Sequence, residues 1–435
     1  MLKKRLLASG AALLITLGAS AWLPAQESDQ VTVEFLAGAK GTLHLDAASA
    51  RALGAAGSKA GAAGLATINK AGIPGIDSLV NFNGAFNAPG YDSFGNPNTH
   101  WLYNMVGTSP NTDKTTTIHA PLIPVSLDLR NFDGSPRYVN GQRLYSDATQ
   151  FVKPVLGSPL FKNAHFSSSE KPTQINDAIQ RAEFGDHAED NWHTMLKPRV
   201  GRPLVMKLIR GTYLFALNPD GSCCAYVMID AGTFESALFP ATFPIDATTP
   251  IGAAELSGDM TTTDMTSLLF PNAFLFVNGN PNDCCILGFH SYDFEPGIPR
   301  NGNRERRYVM NYASWISPGL FGGGFEDITA LSHELSETFN DPFVASDGVH
   351  NITPWWLSPN GNCQNNLEDG DVIEGLPNTS YPMTMHGFTY HPQNEALLPW
   401  FEFKSPSTAL HHAYSYPDET TLTALSPLEK AGCAP

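Results

Sequence analysis

The stretch Phe325-Glu-Asp-Ile-Thr-Ala-Leu-Ser-His-Glu-Leu-Ser-Glu-Thr-Phe-Asn-Asp-Pro342 constrains the fold of this chain more than any other. Ile328, Leu331, Leu335 and Phe339 recur at helical spacing and draw one apolar stripe, with Asp327 placed to cap the first turn. At about 100° per residue, His333 and Glu337 fall together nearly opposite the stripe, with Glu334 beside them. Such a helix packs through one face and turns an imidazole and two carboxylates towards a cleft with the other.

In the motif H-E-x-x-H, two histidines one turn apart bind zinc and the intervening Glu acts as general base. Here Glu337 stands in place of the second histidine. Carboxylate is also a zinc ligand, so His333 and Glu337 can hold one divalent metal, zinc first, if the downstream chain adds a third ligand. Such a site is harder than a His-rich one and acidifies its bound water less. A solvated helix face with one histidine and several acids is the plainer reading of the string taken alone.

The stretch Asn366-Leu-Glu-Asp-Gly-Asp-Val-Ile-Glu374 follows, with acids at 368, 369, 371 and 374. The calcium-loop spacing of an EF-hand is absent. The stretch is either a solvated acidic turn or the source of the third ligand, Asp371 or Glu368.

The first residues, Met1-Leu-Lys-Lys-Arg5, precede an apolar run from Leu6 to Leu23 with small residues at Ala19-Ser20-Ala21 and at Ala25. This is the pattern of a secretory signal peptide over residues 1–25, which implies a secreted protein, extracellular or periplasmic, with no membrane insertion after cleavage. The net charge of −16 argues against nucleic acid or an anionic membrane as a partner. Charged residues make up 16%, against 38 Gly and 33 Pro, which describes a loop-rich globular chain. The six cysteines, at 223, 224, 284, 285, 363 and 433, read as a disulfide framework in an exported protein. The pairing expected is Cys363 with Cys433, and one Cys-Cys doublet with the other. Adjacent doublets lack the spacing of a zinc knuckle.

Residues 26–75 are rich in Ala and Gly, with one strand-like run at 31–36, and read as a propeptide-like segment. A single domain over residues 76–435 follows. Short strands are expected at 104–108 and 123–129, and a helix capped by Thr173 over 173–184. Strand-like runs come next at 204–209, 212–217, 225–229, 273–277, 286–289 and 308–312, with a candidate helix near 261–269. A sheet leading directly into the His333 helix is the order of the upper lobe in zinc proteases of the zincin fold, where an edge strand pairs with extended peptide. The fold class expected is α+β and two-lobed, with an upper lobe over about 200–345 and a loop-rich lower lobe over about 346–435.

The blocks Ser332-His-Glu-Leu-Ser-Glu-Thr-Phe-Asn-Asp-Pro342 and Glu368-Asp-Gly-Asp371 resemble the S-H-E-x-x-E … [DN]-P … E-x-G-D signature. That signature belongs to secreted bacterial and fungal proteins and to the plant phosphate-induced, Exordium-like family. Ile286-Leu-Gly-Phe-His-Ser291 is similar to the G-Y-H-S strand those proteins carry ahead of the helix. The resemblance spans residues 286–371 and implies a zincin-like fold with a metal at His333, Glu337 and one of Glu368 or Asp371. Thr338 stands where the family has alanine, and Val372 where it often has cysteine.

His290, His386 and His391 each read more simply as structural residues than as ligands. Tyr390 or His391 could supply a donor to a developing oxyanion. Two functions compete. One is a secreted metal-dependent peptidase or related hydrolase, with Glu334 as general base, residues 308–312 aligning the substrate, and a peptide or protein as partner. The other is a non-catalytic extracellular protein on a zincin-derived scaffold that binds protein or wall polymer. No G-x-S-x-G elbow, P-loop or dinucleotide fingerprint is present.

Overall fold

The computed structural model describes residues 34–35, 72–91, 97–166, 171–217, 225–240, 247–321, 325–344, 356–364 and 366–425. In chain order, a hairpin of β1 (Asn81–Tyr91) and β2 (Pro97–Val106) leads to the long strand β3 (Thr115–Arg130), and α1 (Ile175–Phe184) follows. Then come β4 (His193–Val200), β5 (Leu204–Ile209), β6 (Tyr213–Leu217) and β7 (Ala225–Asp230), with the short helices α2 (Ala231–Leu238) and α3 (Pro250–Ser257). The strands β8 (Met265–Pro271), β9 (Ala273–Phe276), β10 (Cys284–Ile286), β11 (Gly288–Glu295) and β12 (Glu305–Trp315) precede α4 (Thr329–Asn340).

The fold is mixed α/β, with a central, largely parallel sheet and few helices. Its main path runs β5-β3-β8-β12-β11. β3 pairs in parallel with β4 along its first half, with β5 along its second, and with β8 on its other side. β8 and β12 are parallel, and β11 closes the path as an antiparallel edge. A second sheet joins β6, β7, β9 and β10, with Glu34–Phe35 beside β6. Because β3 lies inside the main sheet, strands ahead of residue 200 belong with those expected after it. Residues 308–312 lie within β12, between β8 and β11, so the edge belongs to Gly288–Glu295.

The candidate helix at 261–269 is instead a turn leading into β8. All seven residues of that strand are buried, and a short, continuous apolar run between covered faces carries no period that separates strand from helix. For α1 the N-cap is Gln174 rather than Thr173, whose hydroxyl instead donates to Asp177 Oδ2 at 2.6 Å.

The four apolar stripe residues of the His333 helix are each at most 2% exposed, as the spacing requires. The opposite face is buried too, so all twelve residues of α4 are enclosed. The stripe packs with Val309 and Ala313 of β12 and Leu269 of β8 in one core, while the polar side is covered by residues 366–374 and 393–395. A separate aromatic core, including Phe82, Trp101, Trp192, Trp356 and Trp400, joins the β1-β2 hairpin to the C-terminal part. There the described chain is loop-rich, with short two-stranded pairs.

Cys284 and Cys285 are bonded to each other. Neither sulfur is left for the other doublet, which corrects the expected link; Cys223, Cys224 and Cys433 lie outside the described residues, as do the leader and most of residues 26–71. Among the described residues, no helix is long and apolar enough to cross a membrane.

Candidate metal centre

One helical turn separates His333 from Glu337, and the pair meets at 3.0 Å, Nε2 to Oε1. The third partner comes from the acidic turn, with Asp371 Oδ1 at 3.5 Å from His333 Nε2. Ligand atoms of His333, Glu337 and Asp371 all lie within 4.8 Å of one another. Of the two alternatives for the third position, Asp371 joins His333 and Glu368 does not.

Specific bonds hold the acidic turn against α4. Asp369 Oδ2 accepts from Ser336 Oγ at 2.7 Å and from Asn340 Nδ2 at 2.9 Å. Gln393 donates to the Gly370 carbonyl at 2.7 Å while its backbone N–H donates to Ser332 Oγ at 2.8 Å. Asn360 ties the Asp371 and Glu374 carbonyls from outside, at 2.7 and 2.9 Å. Two glycines make the fit possible. A Cβ on Gly370 would lie 2.3 Å from His333 Nδ1, and one on Gly288 would lie 2.5 Å from Glu334 Oε1.

On the sheet side, β11 delivers His290, which the sequence reading set aside as structural. Its Nδ1 stands 3.4 Å from Glu337 Oε2, 3.7 Å from Glu368 Oε2 and 3.8 Å from Glu334 Oε2. Glu337 thus turns one oxygen to each histidine. One signal for His290 was present in the sequence: it falls in Ile286–Ser291, the block that resembles the family's own strand ahead of the motif helix.

His290, His333, Glu334, Glu337 and Glu368 are all fully buried, and Asp371 is 3% exposed. Burial raises Glu334 and Glu368 well above the ordinary carboxylate range, reinforced by neighbouring Glu337. Burial likewise pushes Glu337 up to about 8 and lowers His333. Without a cation the surroundings favour the neutral forms, and a bound dication inverts that preference. Both oxygens of Glu334 and Nδ1 of His290 make no hydrogen bond with the described residues. Buried polar atoms without partners, together with imidazole and carboxylate donors, fit a divalent cation.

The remaining expected residues are engaged elsewhere. Tyr390 donates its hydroxyl to the Pro154 carbonyl at 2.9 Å. His391 pairs with Asp327 at 2.7 Å, at the start of α4. Asp327 has a left-handed backbone (φ 47°) and lies one residue ahead of the N-cap, Ile328, whose N–H it accepts through Oδ1. Asp327 therefore anchors His391 instead of serving as the cap. His386 is exposed, at a hairpin turn. Among protein-family models, curated proteins and solved structures, nothing matches this chain.

Proposed function

We propose that this chain is a secreted, metal-dependent hydrolase of peptide bonds, with a divalent ion, zinc by its donor set, held by His333, Glu337 and Asp371. The observation that carries the reading is the convergence of those three residues, from two separate segments, beside the unpartnered carboxylate of Glu334. Three protein ligands leave a fourth tetrahedral position for water or substrate. When bound, the ion would supply a Lewis acid and a more acidic water.

Glu334 serves as the base. Neither of its oxygens makes a hydrogen bond with the described residues, which leaves both open to a proton from water. Gly288 lets the edge strand approach this carboxylate closely, and β11 is the strand that would align an extended peptide. The zincin-like arrangement and the kinship with the Exordium-like family belong to the same proposal, supported by motif order and by the antiparallel edge strand ahead of the helix.

Complete burial of the ligand atoms favours a second reading, a non-catalytic extracellular protein whose metal stabilises the scaffold. Casein cleavage by zinc-loaded wild type and Glu334→Gln separates the two. Loss of about a hundredfold or more with metal content unchanged supports the hydrolase. Equal cleavage by both removes Glu334 from the chemistry. If wild type cleaves nothing in a broad peptide library yet keeps its metal, the scaffold reading stands.

A further inference from the structure

The hydrogen bond of His290 fixes its tautomer. Nε2 lies 3.1 Å from the Asp341 carbonyl oxygen. A carbonyl only accepts, so Nε2 carries the proton and, in the neutral ring, Nδ1 presents a lone pair. Metal-ligating histidines are oriented in this way, with the far nitrogen donating to a carbonyl or carboxylate.

That lone pair points at carboxylates. The distances from Nδ1 to Glu337, Glu368 and Glu334, between 3.4 and 3.8 Å, exceed hydrogen-bond length. They match something else. Two ligands each about 2.1 Å from one ion, at a tetrahedral angle, stand about 3.4 Å apart. At these separations a proton bridges the groups poorly, whereas a cation between them would be held by the lone pair and the carboxylates together.

This position differs from the one at His333. Among the described residues, the sets whose ligand atoms lie within 4.8 Å of one another are His333-Glu337-Asp371, His290-Glu334-Glu337 and His290-Asp341-Glu368, and none contains both histidines. Glu337 belongs to one set with each histidine, through Oε1 at 3.0 Å from His333 and Oε2 at 3.4 Å from His290. This is the geometry of a bridging carboxylate.

We propose that the centre takes a pair of divalent cations, the second at His290 Nδ1 beside the carboxylates of Glu337 and Glu368, with Glu337 shared between the ions. The inference rests on the reading that His333, Glu337 and Asp371 hold the first. Paired ions about 3.5–4 Å apart are the arrangement that clamps both the attacking and the leaving oxygen in two-metal hydrolysis. Glu334 stays beside both positions as the base.

The test is metal stoichiometry by native mass spectrometry on the full chain, stripped and then saturated with Zn²⁺. Wild type should carry two ions and His290→Ala one, with Glu368→Gln, which keeps its volume, giving the same loss if the histidine variant does not fold. A coupled Mn²⁺ spectrum in wild type, replaced by that of isolated Mn²⁺ in His290→Ala, should accompany the change. One ion in wild type that is retained in His290→Ala overturns the pair and leaves the first site standing. One ion lost with His290 but kept in His333→Ala, or two ions retained without His290, overturns the pair too. No ion at all, in a folded wild type, overturns this inference and the reading beneath it.

Discussion

Replacing Gly370 by alanine adds one methyl group where the acidic turn crosses His333. That Cβ would lie 2.3 Å from Nδ1, 2.6 Å from Cε1 and 2.8 Å from Cγ of the imidazole. Non-bonded heavy atoms settle near 3.5 Å, so ring and turn must separate by roughly 1 Å. His333 is fully buried on a helix with no exposed residue, which leaves the ring little room to retreat. Gly370 is not among the glycines with positive φ, so the cost is steric rather than a backbone preference. Overpacking of this kind costs about 1–3 kcal/mol. Ligand distances tolerate about 0.2 Å, so zinc affinity should fall by at least about tenfold. The control is Gly232→Ala in α2, where the nearest atom, Asp230 Oδ1, is 3.5 Å away. It should leave zinc affinity unchanged and the fold no less stable. Zinc titration by calorimetry, with melting temperatures for both variants, reads the outcome. Wild-type affinity and an unchanged Tm in Gly370→Ala would refute the placement of His333 against the turn.

Glu337→Ala deletes a ligand on the next helical turn, and elemental analysis after dialysis should find its metal lost, whereas retention would remove Glu337 from the centre. In the metal-free protein, Glu337, raised from 4.5 to about 8, stabilises the fold fully below its unfolded value, and that stability is lost as pH rises through its folded value. Buried Glu334 and Glu368 act in the same direction, while lowered His333 opposes them below its ordinary 6.5. The Tm of chelated protein should therefore fall towards pH 8, and fall less with zinc; a Tm that rises from pH 6.5 to 8 contradicts this. Asp327→Ala removes the acceptor for His391 and for the Ile328 N–H, and should cost about 1–3 kcal/mol in chemical denaturation with metal content unchanged. Loss of the metal in that variant would show that the His391 pair does more than anchor the helix.

The helix was legible because its period is long and regular: the apolar stripe, the polar cluster at 333–337 and the following acidic block all stand in the sequence. Strands such as Leu204–Ile209 were legible from their β-branched and apolar content. Met265–Pro271 was not, since a strand buried on both faces shows no alternation. Asp327 looked like a cap because residue type and position favour one, but its tie to His391 comes from far along the chain and leaves no local trace. The block around His290 marked it only in part. A lone histidine in a strand acquires meaning only when the register of β11 against β12 sets it beneath the helix. The third ligand stayed open between Glu368 and Asp371 because both lie in one turn, and only the folded turn sends one acid to each histidine.

A divalent cation should sit between the motif helix and the acidic turn. Anomalous diffraction at the zinc edge, from crystals of zinc-loaded protein, tests it most directly. A peak at about 2.0–2.2 Å from His333 Nε2, Glu337 Oε1 and Asp371 Oδ1 is the predicted result. A folded protein with no peak at those atoms, at saturating zinc, would contradict it.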